Sequence, residues 1–218
     1  MKVYTVITAA GLSSRMHAWK PLLPIGGVPS ILRLLRTFSE VSQCILVTGF
    51  RHTELEAVCS EIPDVEFVYN PDFTQTQMFE SACLGFSVIP PDCGRVLFTP
   101  ADIPMVAAST VKQLAACSEP LVFPVFQGRR GHPVSLDAAF VPEILRYRGA
   151  EGLKGALASL PVSPAILKVD DPFVRMDMDT PEDYHKILRL MPEGASCDGD
   201  ETQYVEHPQL AAKSKHST

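Results

Sequence analysis

Val3 to Pro24, VYTVITAAGLSSRMHAWKPLLP, is the stretch on which the reading of this chain turns. Val3, Tyr4, Val6 and Ile7 form the apolar run of a buried strand. Ala9-Ala10-Gly11 then lets backbone N–H groups approach a ligand closely, and Arg15 and Lys20 add a guanidinium and an ammonium. The next helix signal is Val28-Pro29-Ser30, with Pro29 suited to a first helical turn, so the loop is far longer than a tight dinucleotide-binding turn. Bare amides and two cations at the end of a first parallel strand suit a polyphosphate. Two common phosphate loops are excluded: the chain has no Gly-Lys-Ser/Thr, and no Gly-x-Gly-x-x-Gly follows a strand. An ordinary solvated surface loop is the plainer alternative.

The 218 residues, 46% hydrophobic and 20% charged, suffice for one core and are short for two. Residues 1–191 are expected to form one domain. Residues 192–218 lack periodicity and are rich in Gly, Asp, Glu, Ser and Lys, as in a disordered tail. A net charge of −6 argues against a nucleic-acid partner, although a local cationic pocket is compatible with it. Cys44, Cys59, Cys83, Cys93, Cys117 and Cys197 include no Cys-x-x-Cys pair, so they suggest reduced thiols rather than a zinc site or disulfide framework. The N-terminus enters a strand with no charged-then-apolar leader, and no apolar run approaches the ~18 residues of a membrane span. A cytoplasmic protein without a membrane partner is expected.

Apolar residues at Ile31, Leu32, Leu34, Leu35 and Phe38 make a helical stripe over Val28 to Ser39. Cys44 to Thr48 reads as a strand closed by Gly49. Thr53 reads as the N-cap of a helix through Cys59, and Val65 to Tyr69 as a third strand. Asn70 to Phe86 is a polar loop running into a helix whose small residues Ser81, Ala82 and Gly85 suit close packing on a sheet. Arg95 to Thr99 is the next strand. Leu121 to Phe126 and His132 to Leu136 read as a hairpin about Gly128 to Gly131. Short strands are expected at Ala165 to Val169 and Phe173 to Met176, a short helix at Leu153 to Leu160, and a last helix at Thr180 to Met191. The order points to an α/β fold: a single Rossmann-like, doubly wound, mostly parallel sheet flanked by helices.

Two carboxylates stand out. Asp102 lies just beyond a strand end, where open α/β sheets bind ligands, though a turn role is the simpler reading of a lone Asp before Ile-Pro. Asp179 precedes Thr180-Pro181-Glu182-Asp183, where Thr180 caps a helix and Pro181 takes its first position. Two remote carboxylates converging on a phosphate call for a cation between them.

The segment AAGLSSRMHAWKPLLP resembles the signature of the nucleotidyltransferases with a GT-A-like, Rossmann-type fold, Ala-Ala-Gly-x-Ser-x-Arg-Met-Gly-x-x-Lys-x-Leu-Leu-Pro. His17 stands where that signature has Gly. Within this group the chain is most similar to the molybdenum cofactor cytidylyltransferases. Asn70-Pro71, Met78 and Ser81 match a second motif, in which Gln77 replaces a Gly. Asp102-Ile103-Pro104 and Asp179 to Asp183 match the metal motifs, and Arg130-Gly131-His132-Pro133 matches a motif of the acceptor side.

The resemblance implies transfer of CMP from CTP to the phosphate of molybdopterin, with release of pyrophosphate. Arg15 and Lys20 would be catalytic, and Ala9, Ala10, Gly11, Ser81 and Asp102 would bind nucleotide. Gly131, His132 and Pro133 would shape the acceptor pocket, and magnesium would be held by Asp102 and Asp179. A molybdenum hydroxylase or its chaperone is the partner protein so implied. Two alternatives stay open: a transferase acting on a sugar or polyol phosphate, and a non-catalytic carrier of the molybdenum cofactor.

Overall fold

The structure, a computed structural model, describes residues 1–16 and 18–191. The His17 departure and the tail at 192–218 lie outside the described residues. In chain order the elements are β1 (Lys2–Thr8), β2 (Pro24–Ile25), β3 (Val28–Pro29), α1 (Ser30–Ser39), β4 (Gln43–Thr48), α2 (His52–Cys59), β5 (Val65–Tyr69) and α3 (Met78–Ser87). They continue with β6 (Cys93–Pro100), α4 (Ala108–Ala116), β7 (Leu121–Phe126), β8 (Arg129–Arg130), β9 (Val134–Asp137), α5 (Val141–Arg146), α6 (Gly152–Ala158), β10 (Ala165–Lys168) and α7 (Pro181–Leu190).

The main sheet has the order β10-β7-β9-β6-β1-β4-β5, with β8 paired to β7. β1 runs parallel to both β4 and β6, and β7 parallel to β10, whereas β9 runs antiparallel to β6 and β7. The mostly parallel sheet expected from the sequence is therefore present. The chain leaves β1 toward β4 and β5, then returns to its other side at β6. This reversal opens a crevice at the C-terminal ends of β1 and β6, where such sheets take ligands.

Helices cover both faces, which is why β1 is apolar without alternation. Ile7 faces a core with Leu34, Phe38, Leu55 and Leu114, from α1, α2 and α4. Val6 faces the opposite core with Ala82, Phe86, Ile144 and Leu157, from α3, α5 and α6. Met16, Ile25, Met178 and Ile187 form a third, smaller cluster that seats α7 against the β2–β3 hairpin. Among the described residues no helix is long and apolar enough to cross a membrane.

Several local expectations are corrected. Pro29 is not inside a helix: with Val28 it pairs against Pro24 and Ile25 across Gly26 and Gly27, both at positive φ (57° and 74°), a glycine-dependent tight turn. α1 starts one residue later. Thr53 lies within α2, and Arg51 occupies the N-cap in a left-handed conformation (φ 53°). The guanidinium of Arg51 lies 4.6 Å from the Trp19 ring centroid and also pairs with Glu54, which holds that backbone in place. Phe173 to Met176 is not a strand. Pro172–Arg175 forms a 3-10 turn, because the Asp171 side chain accepts from Phe173 N–H at 3.0 Å and Pro172 fixes the turn's first residue.

Gly85 shows why small residues line α3. A Cβ there would stand 2.5 Å from Val6 Cγ1 and 2.9 Å from Val47 Cγ2. Both valines are stiff and fully buried, so neither can yield cheaply. Gly85→Val should therefore lower unfolding stability by about 1–3 kcal/mol through overpacking, read from the urea midpoint. An unchanged midpoint would contradict this packing.

Candidate active site

A cavity of about 360 Å³ lies in the crevice between β1 and β6. Its wall includes Ala9, Ala10, Gly11, Arg15, Lys20, Ser81, Asp102 and Asp179. Residues scattered from one end of the sequence to the other thus meet at one place. Gly131, His132 and Pro133 are not brought into this lining.

The first loop is fastened at both ends. Ala9 N–H donates to Val47 O (2.8 Å), and Ala10 O accepts from Phe50 N–H (3.1 Å). Gly49 permits that approach, since a Cβ on it would lie 2.6 Å from Ala10 O and 2.8 Å from Phe73 Cβ. Gly11 is different: nothing stands within 4 Å of where its Cβ would go. The chain's own packing does not require glycine there, so the bare backbone is open to the cavity. At the loop's far end, Lys20 N–H donates to Ser13 Oγ (3.2 Å), and Ser30 Oγ donates to Lys20 O (2.8 Å) and Pro21 O (3.1 Å). The start of α1 thereby grips the turn that carries Lys20.

The opposite wall belongs to the β5–α3 connection. Buried Asn70 donates through Nδ2 to Thr76 Oγ1 (2.9 Å) and Ser81 Oγ (3.0 Å), while its Oδ1 accepts from Asp72 N–H (3.0 Å). Gln77, which replaces a Gly of the motif, is the N-cap of α3 with extended backbone (φ −98°). Its N–H donates to Glu80 Oε2 (2.9 Å) in a capping box. A left-handed residue is not needed at that position, so the replacement is tolerated.

The charged groups form one connected set. Lys20 Nζ lies 2.5 Å from Asp179 Oδ1 and 3.7 Å from Asp102 Oδ2, and Arg15 reaches Asp179 Oδ2 at 2.9 Å. The Lys20 side chain is only 13% exposed, whereas that of Arg15 is 70% exposed. Met178 N–H donates to Asp102 O (2.8 Å), which ties the two carboxylate segments together through the backbone. The α7 capping box of Thr180 and Asp183 fixes the residue after Asp179.

The environments of the acids differ. The hydrogen bond from Lys20 holds the Asp179 carboxyl below its ordinary range, with Arg15 adding to the effect. Burial pushes the Asp102 carboxyl up, against the pull of Lys20 and with that of Asp177 and Asp179. Asp177 is likewise raised, by burial first and then by Asp179 and Asp183.

The donor set suits a hard cation completed by phosphate oxygens and water. Asp102 Oδ1 is buried without a hydrogen-bond partner. Among the described residues no group of three or more His, Cys, Asp or Glu could hold a metal unaided. One or two carboxylates with phosphates supplying the remaining ligands is how magnesium is commonly bound. The sequence reading named the four charged residues but not Ser13, Phe73 or Thr76, which also line the cavity. Ser13 lies inside the first motif, whereas Phe73 and Thr76 carry no signal beyond a polar loop.

Comparison with known proteins bears on the fold and the family. The chain is 25% identical over 181 residues to the molybdenum cofactor cytidylyltransferase of Escherichia coli (strain K12), covering 82% of this chain and 92% of that protein. The same fold occurs in a nucleotidyl transferase from Methanothermobacter, with a TM-score of 0.74 at 23% identity over 86% of this chain and 96% of that one. It also occurs in a protein of Mycobacterium tuberculosis H37Rv solved in complex with manganese, with a TM-score of 0.72 at 22% identity over 88% of this chain and all (100%) of that one. The family model of the MobA-like NTP transferase domain matches residues 5–164, a span that takes in the first loop, the Asn70–Ser81 wall and Asp102. With that match over most of its length, this nucleotidyltransferase-fold chain belongs to the MobA-like NTP transferase family.

Proposed function

We propose that the chain transfers CMP from CTP to the phosphate of molybdopterin, releasing pyrophosphate, with magnesium as the metal. The observation that carries this reading is the Lys20 ammonium held between Asp102 and Asp179, with Arg15 beside it, at the mouth of the loop. Cations already clustered at a strand-end crevice with open backbone at Gly11 suit a triphosphate. The similarity to a molybdenum cofactor cytidylyltransferase supports the choice of base and acceptor.

In this reading an oxyanion of the acceptor phosphate attacks the α-phosphorus of CTP in line. The new O–P bond forms as the bond to the β-phosphate oxygen breaks, and pyrophosphate leaves with its electron pair. The attacking oxygen is already ionised at neutral pH, so no general base is required. The work left to the chain is positioning and charge neutralisation. Lys20 and Arg15 exchange carboxylate partners for phosphate oxygens and offset the charge that builds on the leaving pyrophosphate. Ala9, Ala10 and Gly11 present backbone to the nucleotide, and Ser81, held by Asn70, borders it from α3. Asp102 and Asp179 would hold the magnesium, which would supply charge neutralisation for the phosphates.

Two tests follow. Isothermal titration with magnesium present should give tighter binding of CTP than of GTP, since Ala9-Ala10-Gly11 resembles the pyrimidine-using branch; tighter GTP binding would contradict the assignment of the base. In a pyrophosphate-release assay, Asp102→Ala and Asp179→Ala should each lower turnover by roughly a hundredfold or more. The double variant should be little worse than either, because both act through one ion, and thermal midpoints should stay near the parent's. Full activity in either single variant, or activity undiminished by a chelator, would remove the metal from the mechanism.

A further inference from the structure

His132, expected on the acceptor side, does not line the cavity, and its imidazole and the Asp102 carboxyl influence each other electrostatically. β9 pairs with β6 as far as Val134 opposite Phe98. His132, two residues before Val134, thus enters β9 at the end of β6 from which the chain runs on through Pro100 to Asp102. The imidazole is held on several sides. Its ring meets Phe98 edge to face with centroids 6.0 Å apart, and its backbone N–H donates to Val174 O at 2.7 Å. Gly131 leaves the turn no slack, since a Cβ there would stand 2.2 Å from the same Val174 oxygen.

Two buried polar atoms in this corner have no hydrogen-bond partner among the described residues, His132 Nδ1 and Asp102 Oδ1. Buried polar atoms are seldom left unpaired. Burial is the main influence on both groups, pushing the Asp102 carboxyl up and the His132 imidazole down, and each also draws the other toward its charged form. The backbone of Phe98 engages the imidazole as well, which leaves Nδ1 as the atom without a partner.

We infer that His132 is a positioning residue for Asp102: one bridging water donates to its Nδ1 and to Oδ1 of that carboxylate, and so aims Oδ2 at Lys20 and the phosphates. This rests on the reading of Asp102 as the metal-holding carboxylate. A partner behind a metal-holding group tunes metal affinity without touching the metal, and a water can carry such a contact almost as well as a direct bond.

The test is manganese binding followed by electron paramagnetic resonance at saturating CTP, alongside the KM for molybdopterin and the thermal midpoint. His132→Ala is expected to weaken manganese binding about tenfold or more, with the KM for molybdopterin unchanged. His132→Asn, whose amide falls near the Nδ1 position, is expected to restore most of that affinity. His132→Gln, whose amide reaches toward the Nε2 position, is not. Should the alanine variant fail to fold, the contrast between Asn and Gln decides the matter. Equal manganese binding in the wild type and every folded variant, or a loss confined to the KM for molybdopterin, overturns the inference. A wild-type chain that binds no manganese with either CTP or GTP overturns the reading of the site beneath it, and this inference with it.

Discussion

The Lys20 ammonium between Asp102 and Asp179 is the contact on which the arrangement of the site depends. Two carboxylates in a shared, partly buried crevice repel each other and resist ionisation. A single cation 2.5 Å from one and 3.7 Å from the other makes their proximity tolerable. Much of the surrounding structure serves to hold these three groups in register. Parallel pairing of β1 with β6 sets Thr8 beside Pro100, so the Lys20 loop and the Asp102 turn leave the sheet side by side. Ser30 grips the backbone of Lys20 and Pro21, and Met178 N–H grips Asp102.

The same contacts join two parts of the fold that otherwise have separate cores. Asp102 follows a central strand of the main sheet. Arg15 and Asp179 each adjoin a methionine, Met16 and Met178, buried in the small cluster beneath α7 and the β2–β3 hairpin. Methionine is unbranched and adaptable in packing. The charged set therefore spans a rigid partner on the sheet and a softer one beside it, a division suited to a site in which phosphates must replace carboxylates as partners of Lys20 and Arg15.

The sequence was most legible where one short segment carries its own physical signal. The apolar run before Ala9 reads as a buried strand, and the stripe from Ile31 to Phe38 as a helix, because burial on the sheet leaves a periodic imprint. Legibility failed where the determining contact is remote. α4 and α5 escaped notice: the N-terminal end of α4 is capped by Asp171, whose carboxylate accepts from Ala107 N–H and Thr110 Oγ1, both at 2.9 Å, and no neighbouring residue announces that cap. The apolar letters of Phe173 to Met176 suggested a strand, but the side chain of Asp171 and the ring of Pro172 imposed a turn. For the site, Arg15 and Lys20 were visible as cations in a loop, while Asp102 and Asp179 taken singly suited a turn and a helix start. Resemblance to known motifs, rather than spacing, joined them. The Lys20 to Asp179 bond links residues 159 positions apart and is a property of the folded sheet alone.

The most direct test is a crystal structure of the chain with CTP and magnesium bound. The account predicts that Lys20 Nζ leaves its position 2.5 Å from Asp179 Oδ1 and contacts a phosphate oxygen. A cation should then stand about 2.0–2.1 Å from oxygens of both Asp102 and Asp179. A complex in which the Lys20–Asp179 pair persists, with the phosphates bound away from both carboxylates, would contradict it.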